Sequence, residues 1–280
     1  MMRPAVDPKT TERIAFAALW AVMIVISLPV AGIVGYMLYR GAAALNWTLI
    51  ASAQRGLLPA IVGTTYLAVL TALIAAPLGI GAAIYLTEYA RRGHLLRAVR
   101  LAIINLAGVP SVVYGLFGLA LFVTLFGFGR SLIAGACTLA LLALPLVISA
   151  SEEALRQIPR GLREGSLALG ASRWQTIRRV VLPNALPGII TGLILSISRA
   201  AGETAPILFT AAFYSLSNPF PDSVRDPVLA LPYQLFVMAT EAPDVSDATK
   251  WATATVLVLL VLGLNLAAIV VRARLRGRRW

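Results

Sequence analysis

Between two long apolar runs lies the polar and basic stretch from Glu164 to Pro187, EGSLALGASRWQTIRRVVLPNALP. It contains three arginines and two glycines, Gly165 and Gly170. The apolar runs on either side are long enough to cross a lipid bilayer. The stretch is therefore expected to lie in water and to connect two membrane spans.

The composition excludes an ordinary water-soluble domain. Of the 280 residues, 59% are hydrophobic and 13% are charged, and the mean hydropathy is +0.84, whereas about a quarter of the residues of a soluble domain are charged. The net charge of +12 does not indicate nucleic-acid binding, because the arginines border apolar runs and form no single basic face. Cys137 and His94 are each the only residue of their type. They predict neither a disulfide nor a metal site, and we expect no cofactor in this chain.

Six apolar segments have the length of about 20 residues that a helix needs to cross a bilayer. The predicted spans are Ile14–Leu38, Ala60–Leu86, Leu101–Phe126, Ser131–Ala150, Leu186–Phe213 and Trp251–Val271. Helices are favoured over a β-barrel because the runs are long and lack strict alternation. The predicted fold class is an all-α, polytopic membrane protein with six transmembrane helices.

The basic residues are distributed unequally between the two sides of these spans. Eighteen of the 24 Lys and Arg residues fall in the N-terminal tail, the second and fourth connectors and the C-terminal tail. Only five fall on the opposite side, and Arg199 lies inside the fifth span. Because basic connectors stay in the cytoplasm, we expect both termini and the stretch from Glu164 to Pro187 to be cytoplasmic.

The connector at 214–250, on the opposite side, is long, proline-rich and acidic. Within it, Val228 to Ala239 is apolar but too short to span, which predicts an interfacial or re-entrant helix. The connector could be a packed surface loop, or it could be a lid or a docking face for an external partner.

Two short helices joined at Gly170 are predicted in the cytoplasmic stretch. Leu162 to Leu169 forms the first, and Gly170 ends it because glycine adopts the left-handed conformation without strain. Ser172 and Gln175 fit a capping box that starts the second helix, which Pro183 is expected to end. In that helix Trp174, Ile177 and Val181 share one apolar face. This elbow could dock in a groove of another protein or lie on the lipid headgroups.

The spacing within the elbow resembles the EAA loop of bacterial ABC importer permeases, which is Glu-Ala-Ala, three residues, Gly, nine residues, Ile, one residue, Leu-Pro. Here the Glu, the Gly, the Leu-Pro and the spacing are kept, with Gly165 and Ser166 in place of the alanines and Val180 in place of Ile. The resemblance implies a type I importer permease whose elbow docks on an ATP-hydrolysing subunit. The residues predicted to couple to that subunit are Glu164, Gly165, Ser166, Gly170, Trp174, Ile177, Val180, Leu182 and Pro183.

The chain lacks the motif of an ATPase. A P-loop needs G-x-x-x-x-G-K-[ST], and the two lysines, Lys9 and Lys250, lie in no such motif. We therefore expect a transport subunit that is not an enzyme, with Mg-ATP bound by a separate chain.

Two ionisable residues, Arg199 and Glu203, lie inside the fifth predicted span. Each costs roughly 2.5–3.5 kcal/mol to insert, so a function is the default hypothesis. Their spacing of four residues places them on one helix face, where they could form a structural ion pair. Alternatively, Arg199 could offer forked donors to an anion on the transport pathway, with Glu203 orienting it.

Three stretches are similar to the PstA-type permeases of bacterial phosphate importers. They are LLPAIVGT (57–64), LAGVPSVVYGLFG (106–118) and SRAAGETAP (198–206). The resemblance implies that Arg199 and Glu203 match the charged pair implicated in phosphate translocation. It also implies four partners: an ATP-binding subunit, expected as a dimer, a second permease of the PstC type, a periplasmic phosphate-binding protein and the lipid bilayer.

The sequence thus predicts an N-terminal part, residues 1–55, with the tail, the first span and a short periplasmic connector. A permease core follows at 56–280, with the coupling loop at 151–187 and the periplasmic loop at 214–250. An importer for sulfate or molybdate, an ion-driven carrier or channel, and a scaffold without transport remain alternatives. The scaffold would leave the cost of Arg199 unexplained.

Overall fold

The structure, a computed structural model, describes residues 8–52, 56–91, 93–213, 219–242 and 244–276. Parts of the predicted N-terminal tail, of the 214–250 loop and of the C-terminal tail lie outside these ranges. So do five of the arginines counted for orientation, Arg3, Arg55, Arg92, Arg278 and Arg279.

The described chain is almost entirely helical, as the composition predicts. The helices are α1 (Pro8–Ala42), α2 (Trp47–Ala51), α3 (Leu58–Ile84), α4 (His94–Ala107), α5 (Ser111–Gly118), α6 (Leu132–Arg156), α7 (Arg160–Ala168), α8 (Arg173–Thr176), α9 (Leu182–Gly202), α10 (Ala205–Thr210), α11 (Leu231–Thr240) and α12 (Asp247–Arg276). The described chain also contains three π-helical turns. Tyr85–Tyr89 extends α3, Leu119–Leu125 extends α5, and Ile177–Val181 joins α8 to α9.

Within the described ranges, five continuous helices are long and apolar enough to cross a membrane, and a sixth span exists if one bent helix pair counts as a span. The predicted first, second, fourth and sixth spans correspond to Glu12–Ala42, Leu58–Tyr89, Leu132–Arg156 and Asp247–Arg274. The predicted all-α polytopic fold is therefore confirmed.

The third predicted span, Leu101–Phe126, is not one helix. Here α4 and the helix from Ser111 to Leu125 meet at an angle of 101°. Gly108 follows the end of α4, and Pro110 precedes the first residue of α5. Proline disfavours the helical conformation of the residue before it, so the chain turns at Val109.

The fifth predicted span, Leu186–Phe213, is also wrong in its bounds. The apolar helix runs from Arg173 to Gly202. Glu203 then adopts an extended conformation, with φ −74° and ψ 133°, before the short helix α10. Hydropathy stays high across this break, which is why the sequence suggested one uninterrupted span.

The centre of the bundle consists of α3, α6 and α9, which pack through small residues. Gly188 and Gly192 form a G-x-x-x-G pair on α9 that faces Ala154 and Ala150 of α6. A Cβ on either glycine would overlap the facing alanine. Small residues allow such close backbone approach in membranes. By contrast, α1 is exposed along its apolar length and packs mainly on α12.

Short helices lie at both ends of the bundle. The elbow end carries α7 and α8, and the far end carries α11. The predicted short helix in the 214–250 loop is present as α11, and the backbone N–H of its first residue, Leu231, donates to Thr64 Oγ1 of α3 at 2.9 Å. Burial raises the pKa of the Tyr233 hydroxyl on α11; the carboxylate of Glu241 adds to the rise, and Arg130 opposes it.

Candidate functional site

The elbow turns at Gly170, as its sequence predicts. Gly170 has φ +83°, the left-handed region that favours glycine. Its N–H donates to the carbonyl of Leu167 at 3.0 Å, and the N–H of Ala171 donates to that of Ser166 at 3.2 Å. These two hydrogen bonds form a Schellman motif, which fixes the direction in which α8 leaves α7.

The second arm of the elbow starts with the predicted capping box. The N–H of Gln175 donates to Ser172 Oγ at 3.2 Å, and the N–H of Ser172 donates to Gln175 Oε1 at 2.8 Å. A further contact closes the elbow from inside, because Ser166 Oγ lies 2.9 Å from Thr176 Oγ1 across the turn.

The prediction that Pro183 ends this arm is wrong. The helix continues from Arg173 to Gly202 through the π-helical turn. The N–H of Leu182 donates to the carbonyl of Ile177, five residues back, so the hydrogen-bond register shifts just before the proline. Pro183 then occupies the first turn of α9, where its missing N–H costs little.

The apolar stripe of the second arm faces its own chain. Ile177 and Val181 are buried, and only Trp174 of the predicted stripe is exposed. Val181 packs in a cluster with residues of α3, α6 and α9. Among the other predicted coupling residues, Glu164, Gly165 and Gly170 are exposed, whereas Ser166, Val180, Leu182 and Pro183 are half-buried.

The exposed apolar surface of the elbow is larger than the sequence indicated. Three leucines of the elbow are exposed in addition to Trp174, and Leu169, which precedes the Gly170 turn, has 91% of its surface accessible. The other two are Leu162 and Leu167. We call Leu162, Leu167, Leu169 and Trp174 the elbow patch. These leucines were not identified from the sequence, because the prediction considered the apolar face of the second arm alone.

A buried ion pair that the sequence did not indicate attaches the elbow to α3. Arg163 Nη2 and Nε donate to Glu88 Oε1 at 2.9 and 3.2 Å. The same guanidinium donates to the carbonyls of Leu155 and Ile158 at the end of α6, at 2.8 and 2.5 Å. The side chains of Glu88 and Arg163 are only 11% and 19% exposed. This geometry joins α7 to the ends of both α3 and α6.

A second group of charges borders a cavity of about 750 Å³ at the same end. Glu152 accepts from Arg100 at 3.2 Å and from Arg156 at 3.3 Å. Arg100 also donates to the carbonyl of Leu86 at 3.1 Å. The cavity lies between these residues and the first turns of α7. Among the described residues, no group of three or more His, Cys, Asp or Glu side chains could hold a metal ion.

The charged pair Arg199 and Glu203 lies about halfway along α6. Gly192 of α9 packs against Ala150, and the carbonyl of Thr210 accepts from the N–H of Ser131 at the far end of α6. Arg199 and Glu203 come between Gly192 and Thr210 in the chain. Their position along the bundle therefore lies between that of Ala150 and that of Ser131.

The two side chains remain in contact although they do not share a helix. Arg199 lies in the last turn of α9, and Glu203 is in the break beyond it. Arg199 Nε lies 3.5 Å from Glu203 Oε1, with side-chain exposures of 44% and 17%. This bond is long and uses one nitrogen of Arg199, and the guanidinium has no other hydrogen-bond partner within the described ranges.

Two of the three stretches that resemble the PstA-type permeases meet at the start of α10, just after this pair in the chain. Gly115 of α5 packs against the start of α10, where a Cβ would lie 3.0 Å from the carbonyl oxygen of Ala205. The stretches at 106–118 and 198–206 are thus neighbours. The third, at 57–64, lies at the far end against the segment before α11, where Gly63 contacts Leu229.

The broken helix with an interior arginine and the protruding elbow with an apolar patch together define a membrane permease. The sequence matches the family described as "Binding-protein-dependent transport system inner membrane component" over residues 75–279. The chain belongs to this family, as its resemblance to importer permeases predicts.

Two curated relatives and one solved structure illustrate the similarity. The chain is 36% identical over 269 residues to the phosphate transport system permease protein PstA 1 of Mycobacterium tuberculosis H37Rv, covering 91% of this chain and 85% of that protein. It is 34% identical over 278 residues to the probable ABC transporter permease protein YqgI of Bacillus subtilis, covering 93% and 94%. The fold is similar to a chain of a bacterial ABC transporter that imports alginate, with a TM-score of 0.67, 15% identity and coverage of 95% and 99%.

Proposed function

We propose that this chain is one of two permease subunits that line the translocation pathway of an ATP-driven importer of inorganic phosphate. The observation that carries the proposal is Arg199, an arginine halfway along the bundle with one long bond to Glu203. Its support is the family of the chain and the phosphate transport permeases among its relatives.

The chemistry of Arg199 suits phosphate. A guanidinium is planar and permanently charged, and it binds a tetrahedral oxyanion through two parallel N–H donors. Glu203 offsets this charge when the pathway holds no anion, which lowers the cost of an arginine at membrane depth. The weak bond between them leaves the remaining donors of Arg199 for the cargo.

The break between α9 and α10 supports the same assignment. Non-helical backbone at membrane depth is tolerated where it is buried in protein or lines a water-filled cavity. Discontinuous helices form substrate sites in other transporter classes. Here the break begins at Glu203, one turn after Arg199, so the non-helical backbone and the guanidinium would line the same part of the pathway.

The ATPase is proposed to bind at the elbow. The elbow patch is apolar and is bordered by arginines, which suits a groove on a soluble protein with acidic edges. In this assignment Glu164, Gly165, Gly170 and Trp174 meet the ATPase. The residues Ser166, Ile177, Val180, Leu182 and Pro183 hold the second arm in place. Mg-ATP would be bound by a dimer of that separate subunit.

The remaining partners follow from the two ends of the bundle. With the elbow end in the cytoplasm of a bacterial inner membrane, both termini are cytoplasmic and α11 faces the periplasm. A phosphate-binding protein would then dock at the far end, and a PstC-type permease would complete the pathway beside Arg199.

Anion competition in the reconstituted importer tests this function. Uptake of labelled phosphate should require ATP and should be reduced by excess unlabelled phosphate but not by sulfate or molybdate. Arg199→Ala should lose at least tenfold in uptake, whereas Gly81→Ala should not, because a Cβ there meets no other atom within 4 Å. Equal competition by sulfate would assign another oxyanion, and uptake without ATP would indicate a carrier or a channel.

A further inference from the structure

Both arms of the elbow are attached to the same residue of α3. From the first arm, the Arg163 guanidinium binds the carboxylate of Glu88. From the second arm, Arg173 donates to the backbone carbonyl of Glu88, and its guanidinium lies over the ring of Tyr89, 5.1 Å from the centroid. Glu88 is thus bound from both sides of the Gly170 turn.

The attachment point is the π-helical turn Tyr85–Tyr89, which ends the span formed by α3. The N–H of Ala90 donates to the carbonyl of Tyr85 at 2.8 Å, which closes the wide turn. Such turns are often found at functional sites in helices. The wide turn brings both the side chain and the carbonyl of Glu88 within reach of the elbow.

From this attachment, α3 extends to the far end of the bundle. Leu58 to Tyr89 is one span of 32 residues, about 48 Å long at 1.5 Å per residue. At its other end, Thr64 accepts a hydrogen bond from Leu231 of α11. The second arm is separately continuous with α9, which carries Arg199.

We propose that Glu88 is a positioning residue that makes α3 move with the elbow, so that one displacement of the elbow acts on both the pathway and the far end. The direct route runs through α9 to Arg199. The added route runs through the Glu88–Arg163 bond and α3 to α11. The inference rests on the proposed function, because it assumes that an ATPase moves the elbow.

The contacts distinguish this role from simple anchoring of the elbow. Arg163 already binds two carbonyls at the end of α6, and the second arm is covalently continuous with α9. The elbow would thus stay attached to the bundle without Glu88. What Glu88 adds is a side-chain bond from the first arm to the turn that extends α3; the second arm also contacts this region through Arg173, which lies over Tyr89, and through Val181.

A distance measurement tests the linkage without reference to the cargo. Spin labels at Tyr85→Cys and Gly161→Cys, with Cys137→Ala, would report the distance between the π-helical turn and the first arm in the assembled importer. Tyr85 is exposed, and a Cβ at Gly161 meets no other atom within 4 Å. The distance should be the same in the nucleotide-free and vanadate-trapped states, and Glu88→Gln should make the two states differ. A change between the states in the unsubstituted chain, or none in Glu88→Gln, would overturn the proposal.

The number of phosphate ions transported per ATP hydrolysed provides a second readout. Glu88→Gln should lower this ratio by about fivefold or more, a typical size for coupling between sites, while the ATPase still copurifies. Arg97→Met is the matched control, because Arg97 is exposed on α4 and forms no ion pair within the described residues. An unchanged ratio in Glu88→Gln, or an equal fall in the control, would contradict the proposal.

A double variant distinguishes a shared route from two separate effects. If Glu88 and Arg163 act through their common bond, Glu88→Gln combined with Arg163→Met should lose no more coupling than Arg163→Met alone. Multiplied losses would mean that the residues act independently. Failure of the unsubstituted importer to transport phosphate would instead refute the proposed cargo, and the distance result would still stand.

Discussion

Substitutions at Gly170 test how much the left-handed backbone of the elbow turn contributes to ATPase binding. The residue has φ +83°, and a Cβ at this position would meet no other atom within 4 Å. A larger side chain therefore causes no clash, and its whole cost is that of the left-handed backbone. That cost is roughly 1–2 kcal/mol for an ordinary L-residue, higher for a β-branched one, and lower for asparagine, which adopts this region more readily.

The cost is comparable to what the hydrogen bonds of the turn contribute. The two hydrogen bonds of the Schellman motif contribute about 1 kcal/mol each, and α7, with nine residues, is too short to be stable alone. If the elbow must be formed before the ATPase binds, a penalty of 1–2 kcal/mol weakens binding roughly 5- to 30-fold.

The assay is the concentration dependence of ATPase binding to purified chains in nanodiscs. Gly170→Ala should show the 5- to 30-fold loss, Gly170→Val a greater loss, and Gly170→Asn close to none. Equal binding by Gly170→Val and the unsubstituted chain, at matched levels of inserted protein, would refute the role of the turn. If Gly170→Asn and Gly170→Val weaken ATPase binding equally, the presence of a side chain at this position, and not the backbone conformation, causes the loss.

Three further predictions concern the elbow patch, the packing and the orientation. Leu169→Asp should reduce ATPase copurification at least tenfold, because it places a charge at the centre of an apolar contact; unchanged copurification would favour an elbow that rests on lipid. Gly192→Leu should destabilise the protein by several kcal/mol, because its side chain would overlap Ala150; thermal unfolding in detergent measures this, with Gly81→Ala as the unaffected control. A fluorescent reporter fused after Trp280 should report cytoplasm, and a periplasmic signal would reverse the proposed orientation.

The spans could be predicted because the bilayer imposes length and apolarity on every helix that crosses it. Local chemistry was equally informative at the elbow. Gly170 and the Ser172–Gln175 capping box depend only on neighbouring residues, and both are present as predicted.

Helix breaks were not predictable by the same reasoning. The segments around Pro110 and Glu203 are apolar on both sides, so hydropathy suggested continuous spans. At Pro183 the error was the opposite one: a helix end was predicted where the helix continues. A proline can end a helix or occupy its first turn. Only the hydrogen-bond register of the preceding π-helical turn distinguishes these cases.

Long-range contacts explain the remaining differences. The periodicity of Ile177 and Val181 shows that they share an apolar face, but it cannot show whether that face packs on the same chain or on a partner. The Glu88–Arg163 pair joins residues 75 positions apart, and neither residue belongs to a motif. Its burial and its four hydrogen bonds became visible only with the fold.

The most direct test of the central claim is phosphate uptake by proteoliposomes that contain this chain, its partner permease, the ATPase and the binding protein. We expect labelled phosphate to accumulate against its gradient when ATP is hydrolysed, and to stop accumulating when this chain alone is omitted. Undiminished, ATP-dependent uptake by vesicles that lack this chain would contradict the account.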